Sequence, residues 1–503
     1  MTTYFGIDVG TNSVKGIAVD EKGHVIDSSI RQITMETPRP GWAQQNPEVW
    51  WNAVSVVLKA LASRNGTCPS AISVSGQMHS LVALDEKGDV VYPAILWCDQ
   101  RTERQCLRIT EQFGGEKRII EKFGNPVLTG FTLPKMLWLA DNEPSIFRRI
   151  RTWMLPKDYI VMKLTGVIAT DFSDASGTSM LDVNGKFDRR IEEIAGISFS
   201  ANPALIASGE IAGRITHPSL SELRDVPVVI GGADNAASAY GCGVEQPGDA
   251  MVSIGTSGTV VALTKQGVPD AQGGVHLFRH VTGNDFYHMA VILSATNSLN
   301  WFKERFGESL SFEALENLVE KTPAGSNGVV FLPYLNGERT PHRDPNARGT
   351  LFGFSTFHSV GDVFRSIYEG VGFALREGAE LIESLGSDLS NVRIVGGGSR
   401  SDTWCQIIAD NLGKSIWLPE VDEGPAYGSA RLAAGAVGID SSSWIRMKKE
   451  YRPSESAKKI YDSVFSIYKK LYRSIKDNYR EISELQERIV DRKEEVEWAF
   501  STR

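Results

Sequence analysis

Apolar residues near the N-terminus come in three short runs, Tyr4–Val9, Val14–Val19 and His24–Ile30, split by Gly10-Thr11-Asn12-Ser13 and by Glu21-Lys22-Gly23. Runs of this length, bounded by glycine and polar residues, predict strands joined by tight turns. The chain therefore opens as a β-meander whose first turn carries a glycine. The same figure returns where Ala250–Ile254 and Thr259–Leu263 flank Gly255-Thr256-Ser257-Gly258, which predicts two related halves. Between them the pattern predicts a helix at Trp50–Leu61, a strand at Ala71–Ser75 and a buried strand at Val226–Ile230 that runs into Gly231-Gly232. Further on, the apolar run Val392–Val395, the triplet Gly396–Gly398 and the helical pattern Asp402–Leu412 follow as strand, glycine loop and helix. After Pro453 neither Gly nor Pro occurs, and Ile460, Val464, Tyr468, Leu471, Ile475, Tyr479, Ile482 and Leu485 recur at helical spacing. That stripe predicts a long helix docked on the body, with a subunit interface as the other reading.

A chain of 503 residues exceeds what one hydrophobic core supports, so two domains and a cleft between them are expected. The boundary falls near Gly241–Gly248, giving residues 1–244, residues 245–440 and a helical tail at residues 441–503. With 42% hydrophobic and 23% charged residues the composition is that of an ordinary folded protein, and disorder is excluded for the bulk. A net charge of -8 without any Lys/Arg block argues against nucleic acid as a partner. No signal-like start and no run of about 18 apolar residues occurs, so the reading is a cytoplasmic protein without a membrane segment. The five cysteines are scattered and form no CxxC pair, which points to reduced thiols rather than a disulfide framework or a zinc site.

The candidate chemistry is phosphate chemistry without a P-loop. Gly413-Lys414-Ser415 lacks the leading glycine of that motif, since Ile408 stands there, and His342-Arg343-Asp344 lacks the asparagine of a protein-kinase catalytic loop. The two glycine turns remain: Thr11, Asn12, Ser13 and Gly255, Thr256, Ser257 can offer backbone N–H groups and hydroxyls to an anion. One such turn is equally an ordinary hairpin, and it is the repetition that points to phosphate. Asp8, in the apolar strand Phe5–Val9, needs a cation or donor: a magnesium ion carrying phosphates, or the adjacent turn. Asp234 directly follows a strand, where open α/β sheets place reacting groups; it reads as a general base for a hydroxyl or as a helix N-cap.

Taken together, Gly6–Lys15, Gly232-Ala233-Asp234-Asn235, Gly255–Gly258 and Gly396–Arg400 resemble the FGGY carbohydrate kinases in order and spacing. Gly76-Gln77-Met78-His79, Pro93–Trp97, Leu155–Tyr159, Phe331–Tyr334 and Gly337–Pro341 are similar to the xylulokinase branch of that family, over residues 4–440. The resemblance implies an actin-like, two-domain α/β fold, each domain a ribonuclease-H-like unit, with ATP and sugar meeting in the interdomain cleft. It implies ATP-dependent phosphorylation of D-xylulose at O5, with Asp234 as base and Asp8 at magnesium, directly or through water. It further implies phosphate binding by Thr11–Ser13 and Gly255–Ser257, and adenosine against Gly397 and Gly398. Met78, His79, Gln77, Asn235 and Asp234 would bind the sugar. Trp97 and Asp99 would line the same pocket, Asp99 ranked first, although Trp97 also reads as core. Ser80, Cys98, Gln100 and Tyr427 depart from the pattern. L-ribulose, D-ribulose or glycerol as acceptor, and a non-enzymatic nucleotide switch, are the rival readings. Fold analogy suggests a homodimer.

Overall fold

Two sheets repeat one topology. In the computed structural model, which describes residues 2–66 and 68–501, the first sheet has six strands. Their order is Ile211–Arg214, Pro227–Ala233, Ala71–Gly76, Thr3–Val9, Ser13–Asp20 and Val25–Gln32. The second runs Met447–Tyr451, Ile416–Pro419, Leu389–Val395, Gly248–Ile254, Gly258–Thr264 and Phe286–Ile292, with His276–Arg279 added at the far edge. In each sheet the opening strand pairs antiparallel with the next across a glycine turn, and parallel with a strand that returns after a long crossover. The two halves expected from the sequence are thus a strand-for-strand repeat, and the two glycine turns occupy equivalent places.

The opening strands are apolar almost without interruption because both faces are covered, as parallel sheets require. Phe5, Ile7 and Val9 are fully buried, and Asp8 is the one partly exposed position in that strand. The helix Pro47–Asn65 covers the sheet; the Asn46 side chain accepts from Glu48 N at its start, and Gly66 in the left-handed region ends it. At the C-terminal end of Ala71–Gly76 a small antiparallel sheet is inserted, ordered Gln44–Gln45, Val90–Ile95, Leu81–Leu84 and Thr152–Met154.

Residues 425–445 depart from the expected division. Counted by sequence with the second domain and the start of the tail, they return to the first sheet, where Ala426, Tyr427, Ala430 and Ala433 of the helix Pro425–Ala436 share a core with Tyr4, Ile17, Val19 and Val229. Glycine makes this approach possible: a β-carbon on Gly6 would stand 1.9 Å from Ala426 O, and one on Gly428 would stand 1.8 Å from Ala237 O. Tyr427 is accommodated by a bond from its hydroxyl to Gly23 O at 2.8 Å and by the ring of Trp444.

The tail also differs. It begins as the edge strand Met447–Tyr451, and its helix spans Glu455–Ser501. The docked face is Tyr461, Val464, Phe465, Tyr468, Leu471, Tyr472 and Tyr479, whereas Ile460, Ile482 and Leu485 of the expected stripe are exposed. The face turned inward is aromatic, because tyrosines bury their rings and keep hydroxyl partners: Tyr461 with Glu369, Tyr468 with Tyr334, Tyr472 with Asp344 and Tyr479 with Thr350.

Candidate active site

Three neighbouring parallel strands end together. Ala71–Gly76 lies between Thr3–Val9 and Pro227–Ala233, with Asp8 beside Ser75 and Ala233 beside Gly76. Asp8, the segment Gln77-Met78-His79 and Asp234 therefore emerge at one sheet edge, the carboxylate-bearing strands being two strand spacings, roughly 10 Å, apart. The C-terminal edge of a parallel sheet is where such folds bind ligands.

Asp8 accepts a bond from Ser75 Oγ at 3.2 Å, and among the described residues it has no ion-pair partner, since the nearby Lys15 is paired with Glu423. Burial raises its carboxyl to about 6, against the pull of Ser75 and Lys15. Asp234 is the first residue of the helix Asp234–Gly241, and Ala233, not Asp234, is its cap residue. Its Oδ1 accepts from Asn235 N at 2.8 Å and from Asn235 Nδ2 at 3.0 Å. Burial lifts Asp234 to about 7, and the negative charge of Asp8 adds to the rise.

The first glycine turn follows the Asp8 strand directly, and the second stands at the equivalent place in the second sheet. In the first, Gly10 N donates to Ser13 O at 3.0 Å, and Thr11 O and Asn12 O are held by Gln45 Nε2 and Ile33 N. In the second, Gly255 O and Thr256 O accept from Thr296 N and Ala295 N, both at 2.9 Å, and the Thr256 and Ser257 side chains are exposed. Both turns have their carbonyls tied back into the protein.

His79 stands in the left-handed region at φ 68°, a costly conformation for a non-glycine residue. Its carbonyl is pinned by Thr132 Oγ1 at 3.0 Å and Lys135 Nζ at 2.9 Å, and its ring stacks on Phe131 with centroids 4.4 Å apart. Nδ1 lies 2.6 Å from Gly177 O. A carbonyl only accepts, so Nδ1 carries the hydrogen, and burial, helped by the charge of Lys135, drives the ring down to about 3 and keeps it neutral. Nε2 is then an acceptor, suited to a hydroxyl and unsuited to a ketone oxygen. Met78 is buried, its sulfur 3.8 Å from Asn235 Nδ2.

Gln77, Trp97 and Ser80 form the link between this end and the first turn. Gln77 Oε1 accepts from Thr11 Oγ1 at 3.3 Å and from Ser80 Oγ at 3.2 Å, and Trp97 Nε1 donates to Thr11 Oγ1 at 2.9 Å. Trp97 is 40% exposed, which removes the core reading. Asp99 is the correction in the other direction. It is fully buried, its carboxylate clasped by Arg101 through Nε and the terminal nitrogen at 2.7 Å and by Ala43 N at 2.6 Å. It has no hydroxyl-accepting edge to offer, so Trp97 ranks above it. Gln100 is likewise engaged, by Thr129 Oγ1 at 2.8 Å.

Beyond the second turn a cavity of about 660 Å³ is lined by Leu299, Asn300, Glu316, Tyr368, Gly397 and Gly398, among others. A β-carbon on Gly397 would meet no protein atom within 4 Å, while one on Gly398 would strike Ile254 Cγ2 at 2.4 Å. Only Gly397 leaves open space where a ligand could approach backbone. Sequence reasoning missed Lys135, Thr132, Phe131 and Gly177. Lys135 had a signal, a lysine inside the apolar helix Thr132–Asn142, where only a buried polar task keeps it.

Residues 3–241 match the N-terminal domain and residues 250–437 the C-terminal domain of the FGGY family of carbohydrate kinases. The chain is 39% identical over 481 residues, 93% of this chain and 96% of the other, to a xylulose kinase of Bacillus subtilis. It is 38% identical to a xylulose kinase of Escherichia coli, over 87% of this chain and 91% of that one. The crystal structure of a protein titled a xyloylose kinase, from Brucella ovis, superposes with a TM-score of 0.89 at 33% identity, covering 94% of this chain and 99% of that one.

Proposed function

The chain belongs to the FGGY family of carbohydrate kinases, with the actin-like two-domain fold, and from that premise we propose that it transfers the γ-phosphoryl group of ATP to O5 of D-xylulose. The observation that carries the reading is the meeting of Asp8, His79 and Asp234 at three adjacent strand ends, together with a glycine turn at the equivalent place in each sheet. The relatives named above for xylulose phosphorylation supply the acceptor.

Asp234 takes the proton of the O5 hydroxyl as that oxygen bonds to the γ-phosphorus and the bond to the ADP oxygen breaks. A carboxyl near 7 suits the task, since a base is most effective with its pKa near the working pH. His79 Nε2 accepts from a sugar hydroxyl, and Trp97 walls the pocket while its N–H holds Thr11. Thr11–Ser13 and Gly255–Ser257 cradle phosphates, and the adenosine lies along Gly397 in the cavity. Asp8 would hold magnesium: among the described residues its partly buried carboxylate has one weak donor and no ion pair, and a hard cation suits carboxylate oxygen. Such an ion, when bound, would supply neutralisation of charge on the transferred group. Among the described residues no group of three or more His, Cys, Asp or Glu is placed to hold a metal ion.

Coupled ADP release with MgATP and D-xylulose, L-ribulose, D-ribulose, glycerol or no sugar tests this. Stimulation by D-xylulose above the others is expected. Preference for another polyol would move the acceptor, and ADP release indifferent to every sugar would overturn the kinase reading in favour of a nucleotide switch.

A further inference from the structure

The segment Asp171–Thr178 belongs to none of the assigned site, yet it touches both reacting ends. Asp171 is fully buried; Oδ1 is 2.9 Å from Lys157 Nζ, and Oδ2 accepts from Ser173 N at 2.8 Å, Ser173 Oγ at 2.5 Å and Ser208 Oγ at 2.6 Å. With its hydrogen committed to Asp171, the Ser173 hydroxyl presents its lone pairs outward, and Ala233 N donates to it at 3.0 Å. Ala233 immediately precedes Asp234. The fit is close, since a β-carbon on Gly232 would stand 2.9 Å from Ser173 Oγ.

Four residues on, Gly177 O receives Nδ1 of His79, and a β-carbon on Gly177 would stand 2.5 Å from that ring. Thr178 O accepts from Leu133 N at 3.0 Å, at the start of the helix whose Thr132 and Lys135 pin the His79 carbonyl. Ser176 Oγ accepts from Arg279 N at 3.1 Å, which fastens the segment to the second sheet. Lys157, fully buried and also paired with Asp158, anchors the whole through Asp171.

We infer that Asp171–Thr178 is a template that fixes Asp234 and His79 relative to one another, with Ser173 the positioning residue for the base and Gly177 the positioning residue for the sugar-binding histidine. The inference rests on the kinase reading above and extends it. Displacing a reacting group by about 1 Å costs on the order of 100-fold in rate, so a hydroxyl that holds the backbone N–H of the residue before the base is felt in turnover.

Ser173→Ala, Ser173→Thr and Gly177→Ala should be compared with the unaltered chain by kcat and KM for D-xylulose and for ATP, together with thermal unfolding. Ser173→Ala is expected to lower kcat by about tenfold or more, one decade being about 1.4 kcal/mol of barrier, with sugar KM changed less than about threefold. Ser173→Thr, which keeps the hydroxyl, should recover most of the rate. Gly177→Ala should raise the sugar KM and leave the ATP KM unchanged. If Ser173→Ala melts earlier but keeps both constants, or if Ser173→Thr restores the melting temperature and not the rate, the template is overturned. Should Ser173→Ala fail to fold, the Gly177→Ala split alone decides. An unaltered chain that phosphorylates none of the sugars or polyols overturns the kinase reading first, a result distinct from an active chain indifferent to these substitutions.

Discussion

Replacing Asp234 by Asn should make the unliganded protein more stable at pH 8 while cutting turnover by orders of magnitude. Asp234 titrates near 7 in the fold against 3.8 for an ordinary aspartate, because burial and then the charge of Asp8 disfavour the ionised form. A group whose folded pKa is raised favours the fold at low pH. Its contribution is fully present below about 3.8, declines as the unfolded chain ionises first, and is lost by about 7. The full difference corresponds to about 4 kcal/mol. Water in the cleft screens part of it, so a gain of about 2 kcal/mol is expected for Asp234→Asn at pH 8. For domains of this size that is roughly 4 to 8 °C in melting temperature. Asn keeps Oδ1 for the donors of Asn235, so the local bonds survive. Thermal unfolding of both proteins without ligands, at pH 5, 6, 7 and 8, measures the effect, and the gap between them should widen up to about pH 7 and then level. In the same preparation turnover should fall by about 10²- to 10⁴-fold with sugar binding retained. An unchanged melting temperature at pH 8, or a gap that does not narrow toward pH 5, would refute the reasoning.

Gly397→Ala should fold with an unaltered melting temperature and raise the KM for ATP, because its β-carbon enters only the cavity, whereas Gly398→Ala should destabilise through Ile254. Steady-state kinetics and melting curves separate the two. Asp99→Asn should cost about 3 to 5 kcal/mol by stranding buried Arg101, seen as a lower melting temperature without a selective rise in sugar KM. Trp97→Phe keeps the pocket wall but releases Thr11; a fall in kcat of a few-fold with both KM values near normal is expected, and unchanged kinetics would show that the Thr11 contact is idle.

The glycine hairpins and the carboxylates beside them were legible because their signals are local: a turn residue at a fixed place between apolar runs, and an aspartate where an apolar strand has no use for one. The tail helix was legible as a helix and the middle of its docked face was legible too, at Val464, Tyr468, Leu471 and Tyr479, but its ends were not. Ile460, Ile482 and Leu485 continue the stripe yet stay exposed, while Tyr461, Phe465 and Tyr472 join the docked face, tyrosine hydroxyls finding partners on remote segments. Asp99 failed for a related reason. Nothing in Asp99-Gln100-Arg101 announces that the arginine folds back on a carboxylate two residues earlier, and only burial of both distinguishes that pair from a free acceptor. The φ of His79 and the tautomer of its ring depend on Lys135 and Gly177, far away in the chain, and lay outside any local reading.

The return of the helix Pro425–Ala436 to the first sheet has a consequence for biogenesis. The first sheet is synthesised early, but the layer over Tyr4, Ile17, Val19 and Val229 is encoded near the end of the chain. A nascent chain therefore carries that apolar face uncovered until Ala436 has left the ribosome, in the kind of state that aggregates or engages chaperones. Severing the chain at the boundary between its two halves would leave the first without its lid and give the second an apolar helix with nothing to cover. The two halves look duplicated, yet the first is finished only by the second's length of chain.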